Sequence, residues 1–355
     1  MFGFSFTSER TINSIKTAIA CVIALFVAQF PLLPMGQWVL ISVVVVMSGQ
    51  AHVGGALQKA YMRIIGTISG ALVAGLTLYF FKENELAILI VIFFSCGIFA
   101  YIASMGGQAA AGAGTLGSVT VILVLLNKSP DISLAIYRPV EIIIGIMIAL
   151  VVTTFIFPIR ATTLLKRDLS SLLNDLRILL QEAVEIKKEA APMVISQVLE
   201  EKVLKSFTAQ RALLVEAKSE HSSKLEKSLL LEIMQQERRI YRAILLLNYS
   251  LHSNVQADNF LHHLPSFKPA IQNCVEQLTT LEAHLKEVNT KSTLTLETIS
   301  VDACFTLQGE IHQSLLASSE PVEVYNNAFL VAIKLLTDEL NQLTLIINKL
   351  YSHHS

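Results

Sequence analysis

Two stretches of this 355-residue chain put an arginine at the head of an apolar run. In YMRIIGTISGALVAGLTLYFF, Arg63 precedes 18 residues that carry no charge, and Gly66 and Gly70 fall inside that run. A guanidinium presents a planar fork of N–H donors that matches a carboxylate, which makes it a natural receiver for an organic anion. It is also expensive in lipid, about 2.5–3.5 kcal/mol at the bilayer centre on the lenient insertion scale. Two readings of Arg63 stand open: an anchor snorkelling to lipid phosphates, or a cation facing a water-filled pocket. Gly66 and Gly70 are four apart and share a helix face, where a neighbouring backbone can approach closely. The second stretch, YRPVEIIIGIMIALVVTTFIFP, spaces Arg138 and Gly145 as the first spaces Arg63 and Gly70, seven residues apart, with Glu141 between them.

The elements that must hold these arginines follow from composition. Only 15% of residues are charged and the mean hydropathy is +0.56, too apolar for an ordinary soluble protein. Residues 1–159 hold 12 of the 55 Lys, Arg, Asp and Glu residues, so the two parts of the chain suit different solvents. The expected organisation is all-α: a six-helix transmembrane domain over 1–159 and a cytoplasmic helical domain over 160–355. Six stretches approach the roughly 17–25 apolar residues that a span needs: 17–33, 37–57, 64–81, 86–103, 109–126 and 139–158. With the amino terminus inside, Arg10, Lys16, Lys59, Arg63, Arg160, Lys166 and Arg167 lie inside against Lys82, Lys128 and Arg138 outside. That asymmetry predicts a multi-pass protein of the bacterial inner membrane with both termini cytoplasmic.

After Pro158 the pattern becomes amphipathic. Leu165, Leu169, Leu172, Leu176, Leu179, Ala183 and Ile186 step alternately by four and three, which sets one apolar seam on a helix. Cys274, Leu278, Leu281, Leu285 and Val288 repeat it, as do Ile333, Leu336, Leu340, Leu343, Ile347 and Leu350; Ile240, Ile244, Leu247 and Leu251 form a shorter copy. Pro192, Pro265, Pro269 and Pro321 divide this part into five or six helices, and an antiparallel bundle is the expected arrangement.

Several function classes drop out. A net charge of −1 without a basic, aromatic-laced stripe argues against nucleic acid. The four cysteines are dispersed, and the His262-His263 and His353-His354 pairs do not complete a metal site, so no metal or cofactor is expected. No zinc-hydrolase, nucleophile-elbow or phosphate-loop motif occurs, and the chain is not expected to be an enzyme. ERRIYR at 237–242 is the natural docking patch if the protein is instead a non-transporting membrane sensor or scaffold.

The two arginine stretches are offset by 75 residues, and adding 75 to the starts of the first three predicted spans lands near the starts of the last three. Units of three spans would face opposite ways, the inverted-repeat plan of many transporters. Trp38 with VLISVVVVMSGQ after it, Lys59, RIIGTISG at 63–70 and the Arg138 stretch together resemble the FUSC family of fusaric-acid-resistance and aromatic-acid-exporter proteins. The resemblance covers about residues 10–160, and the single membrane unit is similar to the small bacterial members. It implies export of organic, often aromatic carboxylic, anions, with a passive organic-anion channel as the alternative. It also implies that Arg63 offers positive potential near the cytoplasmic mouth and Arg138 does so outside. On the same basis Thr67 hydrogen-bonds a ligand or its own helix, and Glu141 pairs with Arg138 or couples protons. Gly66, Gly70 and Gly145 are expected at helix packing faces. Expected partners are the lipid bilayer, small organic anions, a second copy in a homodimer or larger homo-oligomer, and a periplasmic adaptor.

Overall fold

The computed structural model describes the chain except for residues 1–7, 32, 49–51, 82–83, 106, 128–131, 186–196, 221–222, 253–260, 287–295, 299–305, 308, 312–319 and 353–355. Ile186, Val288, Lys82, Lys128, Pro192 and the His353-His354 pair lie outside the described residues. Among the described residues the long elements are all helices. They are α1 Ser8–Ala28, α2 Gln37–Met47, α3 Val53–Phe81, α4 Glu85–Ser104, α5 Gly107–Leu125 and α6 Ile132–Phe155, followed by α7 Ala161–Val184, α8 Gln197–Lys218, α9 Lys224–His252, α10 Phe267–Lys286 and α11 Glu320–Ser352. The chain divides into two compact units, Met1–Ala161 with Glu216–Glu220, and Thr162–Val215 with His221–Ser355.

Within the first unit, Thr11–Ala28, Val53–Phe81, Glu85–Ser104 and Ala135–Phe155 are long and apolar enough to cross a membrane. The six expected spans are therefore four of full length and two shorter apolar helices, Gln37–Met47 and the Ala111–Leu125 part of α5. The expected span 37–57 ends ten residues early: α2 stops at Met47, Ser48 is extended as its C-cap, and Val53–Leu57 belong to α3. The reason is compositional. The sequence between Met47 and Val53, SGQAH, carries a glycine and three polar residues that suit the lipid core poorly. At 1.5 Å per residue the 11 residues of α2 reach about 16 Å, half a hydrocarbon core.

The short helices survive because they are packed on several sides. α2 lies against α1 and α6, and α5 against α3 and α4; α3 and α6 pack on each other, α1 touches α6, and α4 touches α3. Exchanging α1–α3 for α4–α6 maps this set of pairings onto itself. The same exchange relates two close approaches. A Cβ added to Gly70 of α3 would meet the Gly117 carbonyl of α5 at 2.6 Å and Thr120 Cβ at 2.9 Å; one added to Gly145 of α6 would strike the Val39 carbonyl of α2 and Ser42 Cβ at 2.6 Å. Each glycine thus faces a carbonyl and the side chain three residues further along a short helix. Two residues past the end of α6, Phe157 has a φ of 47°, which puts a bulky residue in the left-handed region just before Pro158.

The second unit has its own apolar core. Every seam residue within the described residues is buried, among them Leu165, Leu172 and Leu179 of α7, Ile240 and Leu247 of α9, Leu278 and Leu285 of α10, and Leu336 and Ile347 of α11. α11 packs along α9 and α10.

Candidate anion site

The site grows out of α2. Its first turn carries Trp38, the single tryptophan of the chain, and Ser42 stands one turn further on, where its Oγ donates to the Trp38 carbonyl at 2.7 Å. Arg63 of α3 is 3% exposed and donates from Nη2 to Ser42 Oγ at 3.3 Å. Arg138 of α6 is 4% exposed and sets its guanidinium 3.8 Å above the Trp38 ring, a cation–π contact. Glu141, one turn after Arg138, is fully buried and accepts from the Met35 N–H at 2.7 Å. Arg138 lies within electrostatic reach of both Glu141 and Arg63.

What remains unused matters more than what is paired. Among the described residues, Arg63 Nε, Arg138 Nε and Nη2, and Trp38 Nε1 are buried donors without a hydrogen-bond acceptor. Glu141 Oε2 is a buried acceptor without a donor, and no ion pair within 4 Å joins Glu141 to either arginine among the described residues. Two guanidiniums against one carboxylate leave this apolar neighbourhood with an excess positive charge. Desolvating a charge costs several kcal/mol unless a counter-charge and hydrogen bonds replace water, so the arrangement is suited to receive an acceptor-rich anion. Lys16 of α1, a helix that packs on α2 and α6, adds a further buried cation whose Nζ has no partner.

The structure brings Arg63, Arg138 and Glu141 together around α2, although the sequence analysis assigned the two arginines to opposite mouths. Thr67 is buried one turn beyond Arg63 on α3. Gly66 and Gly70 lie along the α5 face, where a Cβ at Gly66 would strike the Ala113 carbonyl, and Gly145 lies against α2. Their side of α3 therefore holds a helix while the Arg63 guanidinium reaches α2. Ser42 has one signal in the sequence, its place one turn after Trp38 as the single hydroxyl within WVLISVVVVM. Lys16 reads there only as an inside charge, and no side-chain pattern announces the Met35 N–H.

The ERRIYR stretch is split between core and surface, with Arg239 and Arg242 exposed. Glu237, Ile240 and Tyr241 are buried; Arg238 donates to the Phe207 carbonyl at 3.4 Å, and Arg239 reaches Glu339 at 3.8 Å. One face of the helix α9 lies in the core, so half of this segment points inward.

Comparison with known proteins supplies the class. The fusaric acid resistance protein family matches residues 11–318, most of the chain. The chain belongs to that family, and with its four helices of spanning length it is a membrane protein. Curated relatives are the p-hydroxybenzoic acid efflux pump subunit AaeB of Shigella boydii serotype 4 (strain Sb227), and the proteins of the same name from Escherichia coli O1:K1 / APEC and Escherichia coli O139:H28 (strain E24377A / ETEC). Each is 25% identical over 181 residues, covering 48% of this chain and 28% of the relative. The match thus spans little more than a quarter of the length of those relatives.

Proposed function

We propose that this protein is a membrane efflux transporter of organic anions, and that its preferred cargo is an aromatic carboxylate. The observation that carries the reading is the cluster of unpartnered buried donors on Arg63, Arg138 and Trp38 beside a single carboxylate. A carboxylate ligand supplies acceptors to the two guanidinium forks, and its ring suits the apolar wall of Val39, Val43 and Ile146. Family membership and the efflux role named for the AaeB relatives point the same way. Both arginines approaching one short helix from separate helices gives a site that a shift of α3 against α6 would open or close, as alternating access requires. Orientation with both termini in the cytoplasm of a bacterial inner membrane, assembly as a homo-oligomer and use of a periplasmic adaptor complete the proposal. The basic-residue asymmetry supports the orientation.

The test is p-hydroxybenzoate flux in proteoliposomes containing only the full chain, expressed per folded molecule. Lysine at 63 keeps a positive charge that reaches the interface but loses the planar fork. Arg63→Lys should transport several-fold more slowly than wild type while inserting normally. Flux equal to wild type would return Arg63 to the role of a lipid anchor.

A further inference from the structure

The chain passes between its two units at three places in the sequence: after Ala161, before Glu216 and after Glu220. Within the first unit, the Glu220 carboxylate holds two helix starts. Glu220 Oε1 accepts from the Gly54 N–H at 3.2 Å and from the Ala161 N–H at 2.6 Å, so a single oxygen holds the first turn of α3 and the first residue of α7. Glu220 is 7% exposed, and the turn that carries it is closed by Ser219 N–H to Glu216 O at 3.0 Å and Glu220 N–H to Ala217 O at 3.1 Å. A negative charge between two helix N-termini answers their exposed N–H groups and their positive dipole ends at once.

Further grips lock the same segment to α3. Glu216 Oε2 lies 2.6 Å from His52 Nδ1, immediately before α3, and Glu216 attracts Lys59, two turns along it. A Cβ added to Gly54 would strike the Glu216 carbonyl, so this glycine gives the segment room to lie against the helix. The Val53 N–H donates to the Ile159 carbonyl at 3.0 Å, which ties the start of α3 to the residues that lead into α7. Arg63 stands nine residues beyond Gly54 on the same continuous helix, and α3 is described without interruption from Val53 to Phe81. A helix is stiff over that distance, so whatever fixes its first turn fixes the depth and rotation of Arg63.

We propose that Glu220 is a positioning residue for transport: by holding the Gly54 and Ala161 N–H groups within the first unit, it sets where Arg63 meets Ser42. This inference rests on the transport reading above. The role differs from that of Arg63 itself, because Glu220 touches no ligand. Its loss should displace Arg63, weakening anion binding and slowing the cycle together.

Two measurements on the full chain test it: p-hydroxybenzoate flux against concentration in proteoliposomes, and amide hydrogen exchange over residues 53–60. Glu220→Ala should lower maximal flux per folded molecule at least fivefold and raise the half-saturating concentration, and should speed exchange at the start of α3 at least tenfold. Glu220→Gln keeps an acceptor oxygen and should recover most of the exchange protection. If alanine at 220 prevents folding, Gly54→Ala carries the test, since its methyl forces the segment off α3 and should give the same signature. Wild-type maximal flux in the variant under test, or a change confined to the amount of folded protein, overturns the proposal. A wild-type chain without flux refutes the transport reading itself, and with it the role in transport; the exchange data then decide the clamp alone.

Discussion

Both units of this protein bury charge, and they resolve it differently. In the second unit Glu237 is fully buried on α9, accepting from Gln210 Nε2 of α8 at 2.9 Å. Asp168 of α7 accepts from Ser206 Oγ at 2.8 Å nearby. Burial pushes the Glu237 carboxyl well above the usual carboxylate range, and burial pushes Asp168 up as well. A carboxyl can escape the cost of desolvation by taking up a proton. An arginine cannot, because its guanidinium holds its proton at any physiological pH. Buried acids are therefore compatible with a quiet structural core, whereas the buried, half-paired arginines of the first unit keep their charge and call for an anion.

The sharpest way to break this contrast is to neutralise each charge in turn. Arg63→Gln or Arg138→Gln removes a charge-assisted contact worth about 1.5–3 kcal/mol, so flux per folded molecule should fall about ten- to a hundredfold. The folded yield in detergent should hold or rise, because an incompletely paired buried cation has been removed. Lower yield with unchanged flux would make the arginines structural. In the second unit Glu237→Gln should raise stability at neutral pH. The sign is fixed by the raised pKa: between the ordinary carboxylate value and the elevated one the folded state holds a proton that the unfolded state has lost. Stability therefore declines as pH rises through that window, by about 1.4 kcal/mol per pH unit for one such group. Thermal melts of the wild type at pH 5 and pH 8 should show the decline, and glutamine should flatten much of it while Asp168 keeps the remainder. A wild-type slope of opposite sign would mean that Glu237 is ionised in the fold.

Smaller effects test the frame that holds the arginines. Gly70→Ala should cost about 1–3 kcal/mol by overpacking against Gly117 and Thr120, read as a lower melting temperature in detergent. Gly97→Ala on α4, with nothing within 4 Å of its added Cβ, should be neutral or stabilising by up to about 1 kcal/mol. Equal effects at the two sites would dissolve the packing argument. Least of all, Phe157→Asn should stabilise by a few tenths of a kcal/mol to about 1 kcal/mol, since asparagine tolerates a positive φ better.

Periodicity made the second unit legible. The steps of four and three in α7, α10 and α11 mark residues that the structure buries, because an amphipathic helix writes its core face directly into its sequence. The first unit was legible in outline only. Hydropathy marks lipid-compatible residues but not helix ends, so the run from Gln37 to Leu57 looked like one span although α2 stops at Met47 and α3 starts at Val53. Within the site, Arg63, Arg138 and Glu141 stood out as charges among apolar residues. Their convergence on Trp38 and Ser42 depends on α2 lying beside α6, a long-range packing choice that spacing along the chain does not encode.

Trp38 gives this site a voice of its own. With no second indole in the chain, emission excited at the red edge of absorption, where tyrosine does not absorb, arises from one kind of ring, the one on which the Arg138 guanidinium rests. A stacked cation alters the lifetime and colour of that emission, so any event that draws Arg138 away is visible without a label. Because a non-aromatic acid absorbs little where indole does, a simple aliphatic carboxylate titrated against the full chain should shift the spectrum. Arg138→Gln should erase that shift while leaving the emission itself in place.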